Sequence, residues 1–163
     1  SPKFHARYDA VHRSYLYQIS KRPSAFGKKM VWWVKDSLDI RKMKQVAELF
    51  TGMKDFKNFA DKSDEDKSTL VEISKIEIVE TGDLILIRVS GSHFLWKQVR
   101  RMVGVMVEAG RGKLSTGEIE AIFTRPSEIV AKLTAPPSGL YLEKVCYAGD
   151  NLPEDLLPVI RVE

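Results

Sequence analysis

From Tyr15 to Ile19, Tyr-Leu-Tyr-Gln-Ile alternates bulky and polar types at period two, the pattern of a half-buried strand, and Lys21-Arg22-Pro23-Ser24 ends it. The bulky run Val31 to Val34 is short enough for a second strand. Beyond it the period changes. Ile40, Met43, Val46, Ala47 and Phe50 recur at three- and four-residue steps, which predicts an amphipathic helix capped by Asp39 and stopped by Gly52. Val71, Ile73, Ile76 and Ile78, then Leu84 to Val89, flank Thr81-Gly82-Asp83, so a hairpin is expected there. Phe94 to Gly110 returns to helical spacing, with Phe94, Val99, Met102, Val103 and Met106 as its apolar positions. Ser115 and Glu118 form a capping-box pair ahead of Ile119, Ile122 and Phe123, and Pro126 interrupts that shorter helix. Leu140 to Tyr147 reads as a closing strand.

Strands and helices fall in separate runs without strict alternation. That order predicts the α+β class, an antiparallel sheet with helices packed on it. The stretch 62–68 is polar without periodicity and is expected to be a mobile loop. The acidic, proline-bearing tail from Asp150 onward is expected to be peripheral, leaving residues 1–149 as one domain and 150–163 as the tail.

Charge narrows the function only a little. Lysine and arginine number 26 against 22 acidic residues, a formal net charge of +4 that suits a polyanion partner and many other soluble enzymes alike. Cys146 is the single cysteine, which excludes an intramolecular disulfide and any multi-cysteine metal cluster and points to a reducing cytosol. Its neighbours Val145 and Tyr147 make it a small buried strand residue before a catalytic thiol. No apolar run approaches the roughly 18 residues of a membrane span. The sequence opens without Met, and dense patterning begins at Phe4, so the chain is expected to be cut from something longer. There is no Gly-rich phosphate loop, no His/Cys metal spacing and no Ser-His-Asp arrangement.

Candidate chemistry lies in three clusters. The first is Phe4-His5-Ala6-Arg7-Tyr8, followed by His12-Arg13-Ser14-Tyr15-Leu16-Tyr17. Rings interleaved with cations suit an unstacked base and its phosphates, and the spacing suits equally an amphipathic strand with core tyrosines and solvated arginines. The second is Phe94-Leu95-Trp96-Lys97-Gln98-Val99-Arg100-Arg101-Met102-Val103-Gly104. Helical spacing would set Lys97, Arg100 and Arg101 on one face with Gly104. Such a face is usually a solvated one, but Arg100 stands between Val99 and Met102, where burial would demand an anionic partner. The third is Ala135-Pro136-Pro137-Ser138-Gly139-Leu140, a stiff turn entering a strand, in which Gly139 permits close backbone approach and Leu140 can wall a pocket.

Taken in this order, with Lys54-Asp55-Phe56-Lys57-Asn58-Phe59 between them resembling an Asp-Phe-x-x-Phe element, these clusters resemble the TruA-type tRNA pseudouridine synthases from Phe4 to about Tyr147. The resemblance implies the C-terminal part of a pseudouridine synthase catalytic domain, a half domain. It implies isomerisation of uridine to pseudouridine in the anticodon arm of tRNA, in the cytoplasm and without metal or organic cofactor. In that chemistry an aspartate attacks the target nucleoside, the glycosidic bond breaks, and the uracil rotates and rejoins through carbon, which requires the base to leave its stack.

The resemblance assigns three catalytic positions. Tyr15, the first tyrosine of an Arg-x-Tyr-x-Tyr pattern, would stack on the uracil; Arg100 would pair with the catalytic aspartate; Leu140 would close the pocket behind the base. Arg7, His12, Arg13, Phe94, Lys97 and Arg101 would contact RNA. The implied partners are tRNA, the N-terminal part of the same polypeptide and a second copy in a homodimer. The family's Gly-Arg-Thr-Asp-Ala-Gly stretch is absent here, and Asp9, in Asp9-Ala10-Val11-His12, imitates it from within the tyrosine motif, so Asp9 is expected to be a surface strand or turn residue. Two other functions stay open: a non-catalytic RNA-binding module, and an unrelated α+β domain with solvated cations.

Overall fold

The alternating tyrosines form strand β1 (His12–Ser20), and β1 is the axis on which the rest of the sheet is hung. The computed structural model describes residues 3–25, 27–61 and 68–161. The polar stretch expected to be a mobile loop lies outside the described residues but for Ser68.

On one flank of β1 lies β5 (Leu84–Gly91), then β4 (Leu70–Thr81), then the edge strand β3 (Gly52–Asp55), each antiparallel to its neighbour. On the other flank β6 (Leu140–Cys146) runs antiparallel along His12–Tyr17, while β2 (Trp32–Trp33) pairs in parallel with Ile19 and Ser20. The sheet is therefore antiparallel apart from this two-residue pairing. The connection from β1 to β2 passes through a 3-10 turn at Gly27–Lys29, a crossover and not a hairpin, which is why β2 arrives parallel. The Val31–Val34 run supplies only those two paired residues; Val31 and Val34 themselves are buried, in the clusters on opposite sheet faces.

The β4–β5 hairpin closes at Thr81 and Leu84 with Gly82 at φ +56, as the turn signal required. The three-residue step between Ile73 and Ile76 is absorbed by a register shift at Ser74, which keeps both in contact with the same core.

One face of the sheet carries Tyr17, Ile19, Ile85, Ile87 and Val89 and is covered by the helices. Helix α1 (Ile40–Phe50) begins where Asp39 accepts hydrogen bonds from the Arg41 and Lys42 backbone, and buries Met43, Val46, Ala47 and Phe50. Met43, Val46 and Phe50 each contribute about 1.5–3 kcal/mol on burial. Gly52 follows the helix at φ +94 and opens β3. Helix α3 (Thr116–Thr124) has the capping box expected of Ser115 and Glu118, and a short α4 (Ile129–Lys132) follows.

Helix α2 (Gln98–Gly110) starts four residues later than its apolar spacing predicts, counting from Phe94. Gln98 closes a non-helical turn instead: its backbone N donates to Leu95 O at 3.1 Å and its Oε1 accepts from Leu95 N at 2.9 Å. Lys97 completes the turn at φ +62.

The opposite face carries Leu16, Leu84 and Leu86, with Arg88 fully buried beside them. The tail expected to be peripheral is laid across this face. Leu156 and Ile160 pack on its leucines, Gln18 Oε1 accepts from Val159 N, and Arg88 donates to the Pro153 and Asp155 carbonyls. Cys146 is buried, as a strand residue there should be. Among the described residues no helix is long and apolar enough to cross a membrane.

Candidate active site

Strand alternation places Tyr15 on the helix-covered face of β1, at the end nearest the start of α2. There it lines a cavity of about 320 Å³ together with Phe94 to Arg100 in one wall and Pro137 and Leu140 in the other. That volume lies at the lower end of the ~300–1,000 Å³ range of small-molecule pockets. The phenol of the first strand, the guanidinium of α2 and the leucine entering β6 thus share one cavity. Its described lining contains the cations Lys97 and Arg100 and no carboxylate.

Local structure fixes each part. Tyr15 meets the edge of Phe94, ring centroids 5.1 Å apart at 85°, so the two rings brace each other. Arg100 lies in the first turn of α2, where its Nε donates to Ala135 O at 2.6 Å and its own carbonyl accepts from Ala135 N at 3.0 Å. Among the described residues no carboxylate pairs with it.

The loop it grips is also held at the next residue. Tyr17 OH donates to Pro136 O at 2.7 Å, and burial pushes that phenol far above its ordinary range, an effect the nearby positive charge of Arg100 partly offsets. Gly139 has to be a glycine here, because a Cβ would sit 2.7 Å from the Tyr17 ring and from Gln18 O. Leu140 is thereby set opposite Tyr17 at the head of β6.

The cations of the second cluster do not share a face. Because α2 begins at Gln98, Lys97 lies in the preceding turn, and it and Arg101 converge on Asp61, at 2.8 and 3.7 Å. Arg101 is only 8% exposed and also donates to Ala60 O; burial lowers its pKa, with the charge of Asp61 opposing and that of Arg100 adding to the effect. The arginine with a carboxylate partner is therefore Arg101, and Arg100 is left to the cavity.

Arg7, His12 and Arg13 lie outside the cavity lining, ahead of Tyr15 on the chain. Arg7 is exposed, and its carbonyl accepts from Arg13 Nη2 at 2.8 Å, while Arg13 Nη1 donates to Ser92 O at 2.8 Å. His12 Nε2 meets Ser74 Oγ at 2.7 Å. Asp9 sits in an exposed bend, its carboxylate accepting from His5 N at 2.7 Å.

A family model described as tRNA pseudouridine synthase matches residues 46–148. This chain belongs to the tRNA pseudouridine synthase family. It is 38% identical over 145 residues to tRNA pseudouridine synthase A of Pseudothermotoga lettingae, covering 87% of this chain and 59% of that protein. It is 38% identical over 144 residues to the protein of the same name from Exiguobacterium sp., covering 88% and 58%, and 34% identical over 161 residues to that of Staphylococcus carnosus, covering 98% and 60%. This tRNA pseudouridine synthase family member thus spans about three fifths of the length of the curated relatives it matches. The family match covers α2, the Pro137–Gly139 turn and β6, hence Arg100 and Leu140, while Tyr15 lies ahead of it.

Sequence reasoning missed three contributors to this site. Tyr17 anchors the loop that Arg100 grips, Gln98 fixes the turn before α2, and Trp96 stands in the cavity wall. The Leu-x-x-Gln spacing was the available signal for the turn, hidden by the helical fit of the same residues.

Proposed function

We propose that this chain supplies the base-holding side of a cytoplasmic enzyme that isomerises uridine to pseudouridine in the anticodon arm of tRNA. In this proposal it works within a longer polypeptide whose N-terminal part brings the nucleophilic aspartate. The observation that carries it is the convergence of Tyr15, Arg100 and Leu140 on one cavity whose described lining is cationic and without a carboxylate.

Each residue has a task its surroundings support. Tyr15, braced edge-on by Phe94, offers its ring to an extruded uracil, for which base–aromatic stacking supplies about 1–3 kcal/mol. Arg100, tethered among the described residues through Nε, keeps its two terminal nitrogens for the incoming aspartate, holding that carboxylate ionised and aimed at the nucleoside. Leu140 closes the far wall, so that the uracil, once its glycosidic bond is broken, turns against an apolar side chain and rejoins through carbon. Lys97 and Phe94 at the cavity and exposed Arg7 are the candidates for direct RNA contact. His12, Arg13 and Arg101 act through the segments they hold.

The test is pseudouridine formation in an anticodon-arm RNA by the polypeptide of the whole reading frame that contains this sequence. Product should form there, and none should form with the 163-residue chain alone. Product from the chain alone would overturn the divided site. The acid-free lining also favours a second function, a non-catalytic RNA-binding module. A reading frame that begins near Ser1 and supplies no aspartate-bearing segment would decide for it.

A further inference from the structure

We propose that Trp96 is a stacking platform for one of the two nucleotides that flank the target uridine, so that the protein reads a neighbouring base as well as the uracil. This rests on the function proposed above. Trp96 lines the cavity, yet it is 64% exposed, whereas Leu95 immediately before it is 9% exposed. It therefore stands at the mouth, with the Tyr15–Phe94 pair farther in.

The ring is presented by a fixed backbone. Trp96 O accepts from Asp61 N at 3.2 Å, and the next residue, Lys97, is the one described non-glycine residue with positive φ. That conformation costs free energy in a residue with a side chain and persists only where its surroundings enforce it. Here they do: Lys97 Nζ reaches Asp61 at 2.8 Å, and Gln98 closes the turn on Leu95 with both a backbone and a side-chain bond. The positive-φ turn thus presents a large, largely exposed indole beside the cavity.

The occupant that fits is a nucleobase. A flat indole accepts the π-face of any base, and Lys97, part-exposed in the same wall, favours an adjoining phosphate. With the extruded uracil inside against Tyr15, the chain of the RNA must pass over the mouth. The base adjoining the target is then the one within reach of Trp96.

The test uses the full-length polypeptide that contains this chain and three anticodon-arm RNAs: intact, lacking the base 5′ of the target uridine, and lacking the base 3′ of it. Trp96→Ala should weaken binding of the intact RNA about tenfold, inside the range that base–aromatic stacking spans. Trp96→Phe should recover most of that loss. On one of the two abasic RNAs the wild type should show the same tenfold loss, and Trp96→Ala should add nothing to it. An equal penalty for Trp96→Ala on all three RNAs, or no penalty on any, would overturn the proposal. Should the alanine variant not fold, wild-type binding that ignores both missing bases overturns it as well. Absence of pseudouridine from every reaction would count against the function proposed above, while the binding measurements still decide the role of Trp96.

Discussion

Arg88 and Arg100 both sit among apolar side chains, on opposite faces of the same sheet, and their partners differ. Arg88, 1% exposed on β5, donates to both carboxylate oxygens of Glu143 at 2.7 and 2.8 Å, to Glu77 at 3.1 Å, and to two carbonyls of the tail. Its charge and its donors are used up within the chain. Arg100 has one carbonyl through one nitrogen. A guanidinium offers five donors in a rigid fork, so the first is saturated architecture and the second is a fork with prongs to spare, set in a cavity. Burial alone would have ranked Arg88 as the more notable residue; satisfaction of its hydrogen bonds is what separates the two roles.

The largest effect should come from Arg88→Ala, which strands Glu77 and Glu143 and unpins the tail. Urea denaturation should show a loss of about 3–5 kcal/mol, the usual result of removing one partner of a buried pair. Arg100→Ala should cut pseudouridine formation by the full-length polypeptide on the order of 10²–10³-fold, the scale of losing one well-placed electrostatic group. Its urea midpoint should move far less than that of Arg88→Ala, and an equal shift would make Arg100 architecture too.

Tyr15 sharpens the same distinction. Tyr15→Ala should weaken RNA binding by about 1–3 kcal/mol, with Tyr15→Phe close to wild type in binding, since the ring and not the hydroxyl stacks. A Tyr15→Phe variant that binds as poorly as the alanine variant would refute the stacking role.

Acid should also weaken the Arg88 side. Burial would raise the pKa of Glu77, but hydrogen bonds from Lys75 and Arg88 and their charges outweigh it and hold the carboxyl below its ordinary range. A carboxylate so shifted stabilises the fold above its unfolded pKa and loses that contribution as pH falls through the folded value. Stability should therefore decline in acid from about pH 4 downward, and Glu77→Gln should flatten that decline. An identical slope in the variant would detach Glu77 from it. The smallest effect is expected of Asp9→Asn, which touches only an exposed bend. Activity of the full-length polypeptide should be unchanged, and total loss with intact fold would place the nucleophile inside this chain.

The parts of the fold legible in the sequence are those set by neighbours along the chain. The alternation of β1, the three-and-four spacing of α1, the Gly82 turn and the Ser115–Glu118 box all act over a few residues, and all four are present. Even the odd step from Ile73 to Ile76 carried a usable signal of the bulge at Ser74. The start of α2 was not legible, because Phe94, Leu95 and Trp96 fit a helix, while the turn is held by Gln98 folding back on Leu95 and by Lys97 reaching Asp61.

Nor could spacing separate Arg100 from Arg101, since one step of helix phase decides which of them faces Asp61 and which the cavity. Arg88 was invisible for a related reason: its partners Glu77 and Glu143 belong to other strands and its carbonyls to the tail. For the candidate site, the sequence and its family resemblance picked out Tyr15, Arg100 and Leu140, which the fold brings together. The loop between the last two, and the phenol that anchors it, depend on contacts across more than a hundred residues.

Gly104 has a consequence for the guest as well as for the host. A methyl group there would overlap the Leu133 carbonyl at 1.6 Å, so α2 and the segment leading into β6 touch main chain against main chain. Side-chain rotation cannot widen such a joint, and the gap between Arg100 and the proline wall is consequently a fixed gauge. Anything bulkier than that gauge admits has to be turned away, which makes size exclusion a property of the backbone itself.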